Sequence, residues 1–289
     1  MEFKLNSFEK FIIRYKNPII RITGLIYIIG MIISAIMLVP LGAPLLLVLF
    51  FLTILFYLFV VIKKFNQPLA LRNNYLQVRK ALAATNQLIE ITREKDFQEM
   101  AVLLNNRVAF LICMGEFEQA ENEIRMFWQK YGNKKLANYI RIAIHTNMGI
   151  IALEKRDFKS YEEQFNIICQ YEKKKANKRL KRQMSHTIIS LTQYAEAVVA
   201  NENSNFEEYA TRVWQSNHYE PIKDKNLTDE QMNAYSYLVA YENLFIFTQN
   251  QGDTEKAIFY AQQIVNLANE QFYIYRKAKE YLENADRSN

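Results

Sequence analysis

Apolar and polar positions fall into two regimes along this chain. From Ile22 to Val39 eighteen residues pass without a charge, and after the break Pro40-Leu41-Gly42-Ala43-Pro44 a second uncharged run continues to Ile62. As helices rising about 1.5 Å per residue, the runs are roughly 27 to 28 Å long, close to the bilayer hydrocarbon thickness of about 30 Å. Core helices of soluble proteins rarely go so far without a polar face. The pattern therefore predicts a transmembrane hairpin over residues 18–64, with spans at about 19–39 and 44–62 and a Pro/Gly turn between them. A cleaved signal peptide is the competing reading. The first run is longer than a usual signal core, Pro44 directly follows the only small-residue site at Ala43, and a second full run comes at once, all of which favour the hairpin.

Ahead of the hairpin, residues 1–17 place Phe8, Phe11, Ile12 and Tyr15 at helical spacing, with Lys10, Arg14 and Lys16 elsewhere on the wheel. Two readings stand side by side: a short interfacial helix, or a cytoplasmic extension of the first span. Gly30 and Ser34 form a small-xxx-small pair, which lets the two spans pack closely or lets the protein pair with another copy.

Residues 69–289 change character. Proline occurs there only at Pro221, and glycine only at Gly115, Gly132, Gly149 and Gly252. Leu82, Leu88, Ile89 and Ile91, then Val102, Leu103, Val108, Leu111 and Ile112, recur at three- and four-residue steps, and no strand pattern matches them in strength. The spacing predicts helices over 70–92, 97–113, 117–131, 135–154, 157–175, 178–201, 205–217, 228–250, 254–268 and 271–285. The fold class expected is all-α.

Charge then changes the picture. Residues 1–80 hold ten Lys/Arg against Glu2 and Glu9, and the turn between the two runs holds none. By the positive-inside rule both flanks, and both termini, are expected in the cytoplasm. The remaining residues carry 26 basic and 28 acidic side chains, so the excess of positive charge belongs to the anchor and argues against a nucleic-acid partner. A composition rich in Ile, Asn and Lys suits a bacterial cell membrane, with a eukaryotic organelle as the alternative.

Several turns look alike. Gly252-Asp253-Thr254-Glu255-Lys256-Ala257 is matched by Gly115-Glu116-Phe117-Glu118-Gln119-Ala120, and more weakly by Arg156-Asp157-Phe158 and Ser204-Asn205-Phe206. Nine residues before three of these turns stands an asparagine: Asn106, Asn147 and Asn243. In these features residues 98 to 268 resemble the tetratricopeptide repeat family, although the turn positions 115, 156, 204 and 252 lie farther apart than that family's usual repeat. The resemblance implies antiparallel helical hairpins stacked as a solenoid, with a partner-binding concave side lined by Asn106, Arg107, Arg141, His145, Asn147, Tyr241 and Asn243. Asparagine amides can hold a peptide backbone and a cation can receive a carboxylate; packing between repeats is the plainer role for the asparagines.

Lys173, Lys174, Lys175, Lys178, Arg179, Lys181 and Arg182 put seven cations into ten residues. They suit a solvated joint between repeats, contact with anionic headgroups or an acidic protein or, since the run itself holds no aromatic residue, less readily RNA. Signatures of chemistry are missing: no phosphate-binding glycine loop, HExxH, GxSxG or paired CxxC occurs. His145, His186 and His218 stand far apart in sequence, and Cys113 and Cys169 sit within apolar helical stretches as expected of reduced, buried thiols. Neither a metal nor any other cofactor is expected, and an enzyme is disfavoured. The aromatic C-terminal third, Tyr235 to Tyr275, is expected to be mostly core, with any exposed remainder a docking patch. The expectation is a membrane-tethered adaptor or scaffold whose partners are the lipid bilayer and an unidentified protein or peptide, with a homo-oligomer possible. The alternatives are a peptide-responsive membrane sensor and an accessory subunit of a membrane complex.

Overall fold

A computed structural model of the chain describes residues 5–36, 42–93, 96–173 and 234–288, together with 191–192, 194–195 and 197–198 between them. Among the described residues every regular element is an α-helix. In chain order they are α1 (Ser7–Ile36), α2 (Gly42–Asn73), α3 (Val78–Ile91), α4 (Phe97–Cys113), α5 (Phe117–Tyr131), α6 (Asn138–Glu154), α7 (Phe158–Lys173), α8 (Ala234–Gln251), α9 (Thr254–Leu267) and α10 (Tyr273–Ser288). The helix expected over 205–217 and the turn at Ser204 lie outside the described residues. The pieces between Leu191 and Val198 are helical, within the helix expected over 178–201.

α1 and α2 lie side by side. The Tyr27 hydroxyl is 3.2 Å from the Thr53 hydroxyl, and a Cβ placed on Gly30 would meet Leu46 Cδ1 at 3.3 Å, so Gly30 serves close packing within the pair. α1 opens with a capping box: Asn6 Oδ1 accepts from the Glu9 N–H at 2.8 Å, and Glu9 Oε2 accepts from the Asn6 N–H at 3.0 Å. It kinks at Tyr15 (φ −111°, ψ 18°), inside the turn that Pro18 weakens by having no N–H to give the Arg14 carbonyl. Among the described residues one stretch is long and apolar enough to cross a membrane, Pro44–Asn73, and only 6% of its most apolar window is buried. The first uncharged run contributes the shorter apolar stretch Ile22–Ile33.

The helix expected over 70–92 is two helices. α2 continues through Pro68 to Asn73, and the chain turns at Asn74–Gln77 before α3 begins. That turn uses neither glycine nor proline: Leu76 adopts a left-handed φ of 49°, Gln77 N–H donates to the Leu71 carbonyl at 2.9 Å, and Asn269 Nδ2 caps the Leu76 carbonyl at 2.8 Å. Burial of Leu71, Leu76 and Val78 in one core holds a conformation that local preference disfavours.

α4 with α5, α6 with α7, and α8 with α9 form three hairpins joined by turns of one build. Gly115 (φ 76°), Arg156 (φ 56°) and Gly252 (φ 76°) take the left-handed position. The next residue's N–H reaches back five positions in each: Glu116 to Leu111 O at 2.9 Å, Asp157 to Ala152 O at 2.8 Å, Asp253 to Thr248 O at 3.0 Å. This is the Schellman arrangement, which satisfies carbonyls at a helix end. In two of the turns the following aspartate caps the next helix, Asp157 accepting from the Ser160 N–H at 3.1 Å and Asp253 from the Lys256 N–H at 3.1 Å. Ala120 and Ala257, both fully buried, then bring the returning helix in close.

The largest core joins the two ends of the chain. Leu71, Val78, Leu88, Leu103 and Phe110 pack in one cluster with Leu238, Phe245, Ile264, Phe272 and Ile274. Polar bonds reinforce it: Gln271 accepts from the Arg79 N–H at 3.1 Å, and Arg276 Nη2 donates to the Met114 carbonyl at 2.7 Å. A second cluster fills the space between α4, α5 and α6, and a third joins α6 and α7 to Leu191, Tyr194 and Val198.

Gly115 and Gly252 share a backbone angle but not an environment. A Cβ on Gly115 would lie 2.7 to 3.0 Å from the Tyr273 side chain, whereas one on Gly252 meets nothing within 4 Å. Gly252→Ala should cost about 1 to 2 kcal/mol, and Gly115→Ala roughly 2 to 5 kcal/mol because overpacking adds to the same backbone term. Arg156→Gly should gain about 0.5 to 1 kcal/mol by relieving the left-handed arginine. Unfolding of the detergent-solubilised chain followed by circular dichroism checks all three; equal losses at the two glycines would refute the Tyr273 contact.

Candidate functional site

Two places in the helical part gather polar side chains. The first is a groove of about 560 Å³ over α6, between α5 and α7. Its floor is Ile124, Met148, Ile151 and Ala152; its walls carry Glu121, Arg125, Trp128 and Gln129 from α5, Lys155 from the end of α6, and Asp157, Ser160 and Gln164 from α7 and its cap. Lys155 Nζ bridges the mouth to Glu121 Oε2 at 2.7 Å, with both side chains about 40% exposed (41% and 40%). At that exposure the pair contributes little to stability and is easily exchanged for another charged partner.

Two residues the sequence singled out lie against side chains that line the groove. His145 Nδ1 lies 2.8 Å from Gln164 Oε1, and its ring sits 5.6 Å from the Trp128 ring. Burial holds the His145 pKa below the ordinary imidazole value, and Arg141 nearby pushes the same way, so the ring is neutral at physiological pH. Arg141 donates to the Lys134 carbonyl at 3.1 Å, with its guanidinium 6.0 Å from the Trp128 ring.

The other expected contact residues are buried or engaged between helices. Asn106, Asn147 and Asn243 are all buried, Asn243 to 1% exposure. Asn147 donates to Asn105 Oδ1 at 3.0 Å across α6 and α4, which is a packing role. Arg107 pairs with the buried Glu123 at 2.5 Å, tying α4 to α5, and Tyr241 is half-buried against the main core. The structure thus sets His145 and Arg141 against the groove's lining residues Gln164 and Trp128 and puts the asparagines into the contacts between helices. Of the basic run, Lys173 ends α7; Lys174, Lys175, Lys178, Arg179, Lys181 and Arg182 lie outside the described residues. In the C-terminal third Tyr237, Phe245 and Phe272 are buried, and Phe259 is 39% exposed.

The second place was not anticipated. Glu242 is the only charged residue in α8, and it faces Glu154 at the end of α6 and Lys277 of α10. Lys277 Nζ lies 3.6 Å from Glu154 Oε2 and 4.6 Å from the centre of the Tyr273 ring, while the Tyr194 hydroxyl donates to Glu154 Oε1. Burial raises the Glu242 carboxyl to about 8; Glu154 adds to the effect and Lys277 opposes it. Burial works against the Lys277 ammonium, but Glu154 and Tyr273 outweigh it and raise its pKa. Nearby, Arg72 of α2 lies 4.1 Å from the centre of the Tyr235 ring, whose hydroxyl is 3.2 Å from Cys113 Sγ. Burial pushes the Cys113 thiol up, so the sulfur is an unreactive thiol. The sequence did carry one signal: a lone carboxylate inside an otherwise uncharged eighteen-residue helix.

No protein-family model, curated protein or solved structure matches the chain.

The Glu242 carboxyl gives a pH dependence of definite sign. Its folded-state pKa of about 8 stands above the ordinary 4.5, so the stability tied to its protonated form is complete below about pH 4.5 and is lost as pH rises through 8. The melting temperature should therefore fall between pH 5 and pH 8.5. Glu242→Gln should flatten that fall and melt higher than the parent at pH 8.5. Parallel melting curves for parent and variant across this range would show that the carboxyl is not held protonated.

Proposed function

We propose that this protein is a membrane-tethered adaptor: a two-helix transmembrane hairpin holding a tetratricopeptide-like helical domain at the cytoplasmic face, where it binds protein partners. The observation that carries this reading is the uncovered apolar surface of α2, of which the rest of the chain buries almost nothing. A soluble protein would expose Leu45, Leu49, Leu52, Leu55, Phe56 and Phe59 to water together, a patch far beyond what a monomer tolerates. In a bilayer the same surface is solvated by acyl chains. α1, paired with α2 and carrying Ile22–Ile33, supplies the other half of the hairpin, and the cations around it favour cytoplasmic flanks.

For the partner, the groove over α6 fits a peptide or a helix edge better than a small metabolite. It is open and amphipathic, and its Lys155–Glu121 bridge can be exchanged for a partner's charge. The repeated Schellman turns support the family resemblance, since each hairpin is then one unit of a stack. A second reading, a peptide-responsive sensor, is favoured by one contact. Arg72 near the end of α2 is stacked on Tyr235 of α8, so a displacement of α8 would act directly on the anchor.

Two measurements test the proposal. Single cysteines placed at Ala43 and at Ser7, in a chain lacking Cys113 and Cys169, should react oppositely with a membrane-impermeant maleimide on intact cells: labelling at 43 and none at 7 until lysis. Labelling at both sites, or recovery of the parent in the supernatant after alkaline extraction of membranes, would refute the hairpin. For the groove, Arg125→Glu combined with Lys155→Glu should abolish co-purification of partners in mild detergent with helicity unchanged. Unaltered co-purification would place recognition elsewhere.

A further inference from the structure

Where the hairpin meets the helical domain, α1 and α2 carry a band of exposed aromatic and basic side chains. Phe8, Phe11 and Tyr15 are exposed (63%, 53% and 39%), and Phe59 of α2 is 64% exposed. The expectation that Phe8, Phe11, Ile12 and Tyr15 share one face is corrected: Ile12 and Ile13 turn inward, 6% and 1% exposed, and the three aromatics remain outside. Three contacts fix the arm before the kink at Tyr15. Glu9 pairs with Lys64 at 3.0 Å, the buried Tyr57 hydroxyl donates to the Ile12 carbonyl at 3.1 Å, and Leu5 joins the core that holds Leu71.

These contacts set the level of the arm. Ile12 and Glu9 lie beside α2 residues 57 and 64, and that is where the outward apolar surface of α2 ends: Ile62 is its last exposed large apolar residue before Lys63 and Lys64. On α2 this is the passage from hydrocarbon-like to water-like surface, and Phe8, Phe11 and Tyr15 are held beside it. Exposed cations accompany the rings. The Arg14 guanidinium is 5.9 Å from the Tyr15 ring centre, the Lys63 ammonium is 5.8 Å from that of Phe59, and Lys10 lies between Phe8 and Phe11 in sequence. Amphipathic aromatics beside cations suit the headgroup layer, where rings sit at the acyl boundary and cations meet phosphate.

We propose that Phe8, Phe11, Tyr15 and Phe59, with Lys10, Arg14 and Lys63, form a collar that docks on the headgroup layer of an anionic phospholipid leaflet. The proposal rests on the membrane reading and adds to it the lipid chemistry and the seat. The aromatics insert to the glycerol level, and the cations prefer lipids bearing a net negative headgroup. The collar thereby holds the kinked arm and, through Glu9–Lys64, the base of α2 at a fixed depth.

The test uses the full chain without Cys113 and Cys169, reconstituted in phosphatidylcholine vesicles with or without phosphatidylglycerol. A nitroxide is attached at Phe11→Cys or, as a reference, at Leu52→Cys, and its depth is read from relaxation by oxygen and by a water-soluble nickel chelate. The expected result is label 52 in the hydrocarbon and label 11 at headgroup depth, seated more fully when phosphatidylglycerol is present. Replacing Lys10, Arg14 and Lys63 by Gln should remove the phosphatidylglycerol effect, each cation being worth about a fivefold change in the seated-to-released ratio. Label 11 in bulk water with label 52 in hydrocarbon overturns the collar and leaves the hairpin intact. Both labels in water overturn the membrane reading itself. Label 11 shielded from both relaxants, in a particle of doubled mass, means that a second copy covers the aromatics and also overturns the proposal. Seating indifferent to phosphatidylglycerol overturns its anionic part.

Discussion

The constraint on which the rest of this structure depends is that α2 has far more apolar surface than the described helices cover. Burying a large aliphatic or aromatic side chain is worth roughly 1.5 to 3 kcal/mol, and α2 alone leaves ten such residues outward between Leu45 and Ile62. The apolar faces of the other described helices are already engaged in the cores they fill. An apolar solvent for α2 therefore enters the proposed arrangement as a structural component, as much as any packed helix. α1 fits the same condition, with Gly24 and Gly30 allowing it close to Phe50 and Leu46.

The helical class and most helix ends were legible in the sequence because the signals were local. α4 and α5 fall at the residues expected, since Gly115 is a strong stop and Glu116 a usable start. The three similar turns were legible for the same reason, even at Arg156, where the copy was weak but the backbone adopts the same left-handed angle. The break at Asn74–Gln77 was hidden because its left-handed residue is a leucine, held by contacts with Val78 and with Asn269, which is almost two hundred positions away. Nothing in residues 70–92 alone announces it.

The site was read less well. A polar residue recurring at fixed distance from a turn is equally compatible with a groove or with an internal seam, and the burial of Asn106, Asn147 and Asn243 places them in the seams. His145 and Arg141 reach only the back of a groove wall, and the residues that shape it, Trp128, Gln129 and Gln164, lie on the second helices of the first two hairpins, where no recurrence marked them. The Glu154–Glu242–Lys277 cluster depends on three helices meeting from distant parts of the chain. Its one sequence trace, a single carboxylate in α8, becomes informative only when the neighbours of that helix are known.

The joining of the first and last helices in one core has a consequence in time. Met114, whose carbonyl receives Arg276, and Leu76, whose carbonyl receives Asn269, leave the ribosome long before their partners exist. At a synthesis rate of about 5 to 20 residues per second, some 160 to 190 intervening residues occupy roughly 8 to 40 s. During that interval the faces of α3 and α4 that pack in the shared core lack their partners from α8, α9 and α10, although α2, α5 and α6 are already beside them. Until that core closes the fold is incomplete, and its biogenesis is exposed to chaperones and proteases in a way that a chain with only neighbouring contacts would escape.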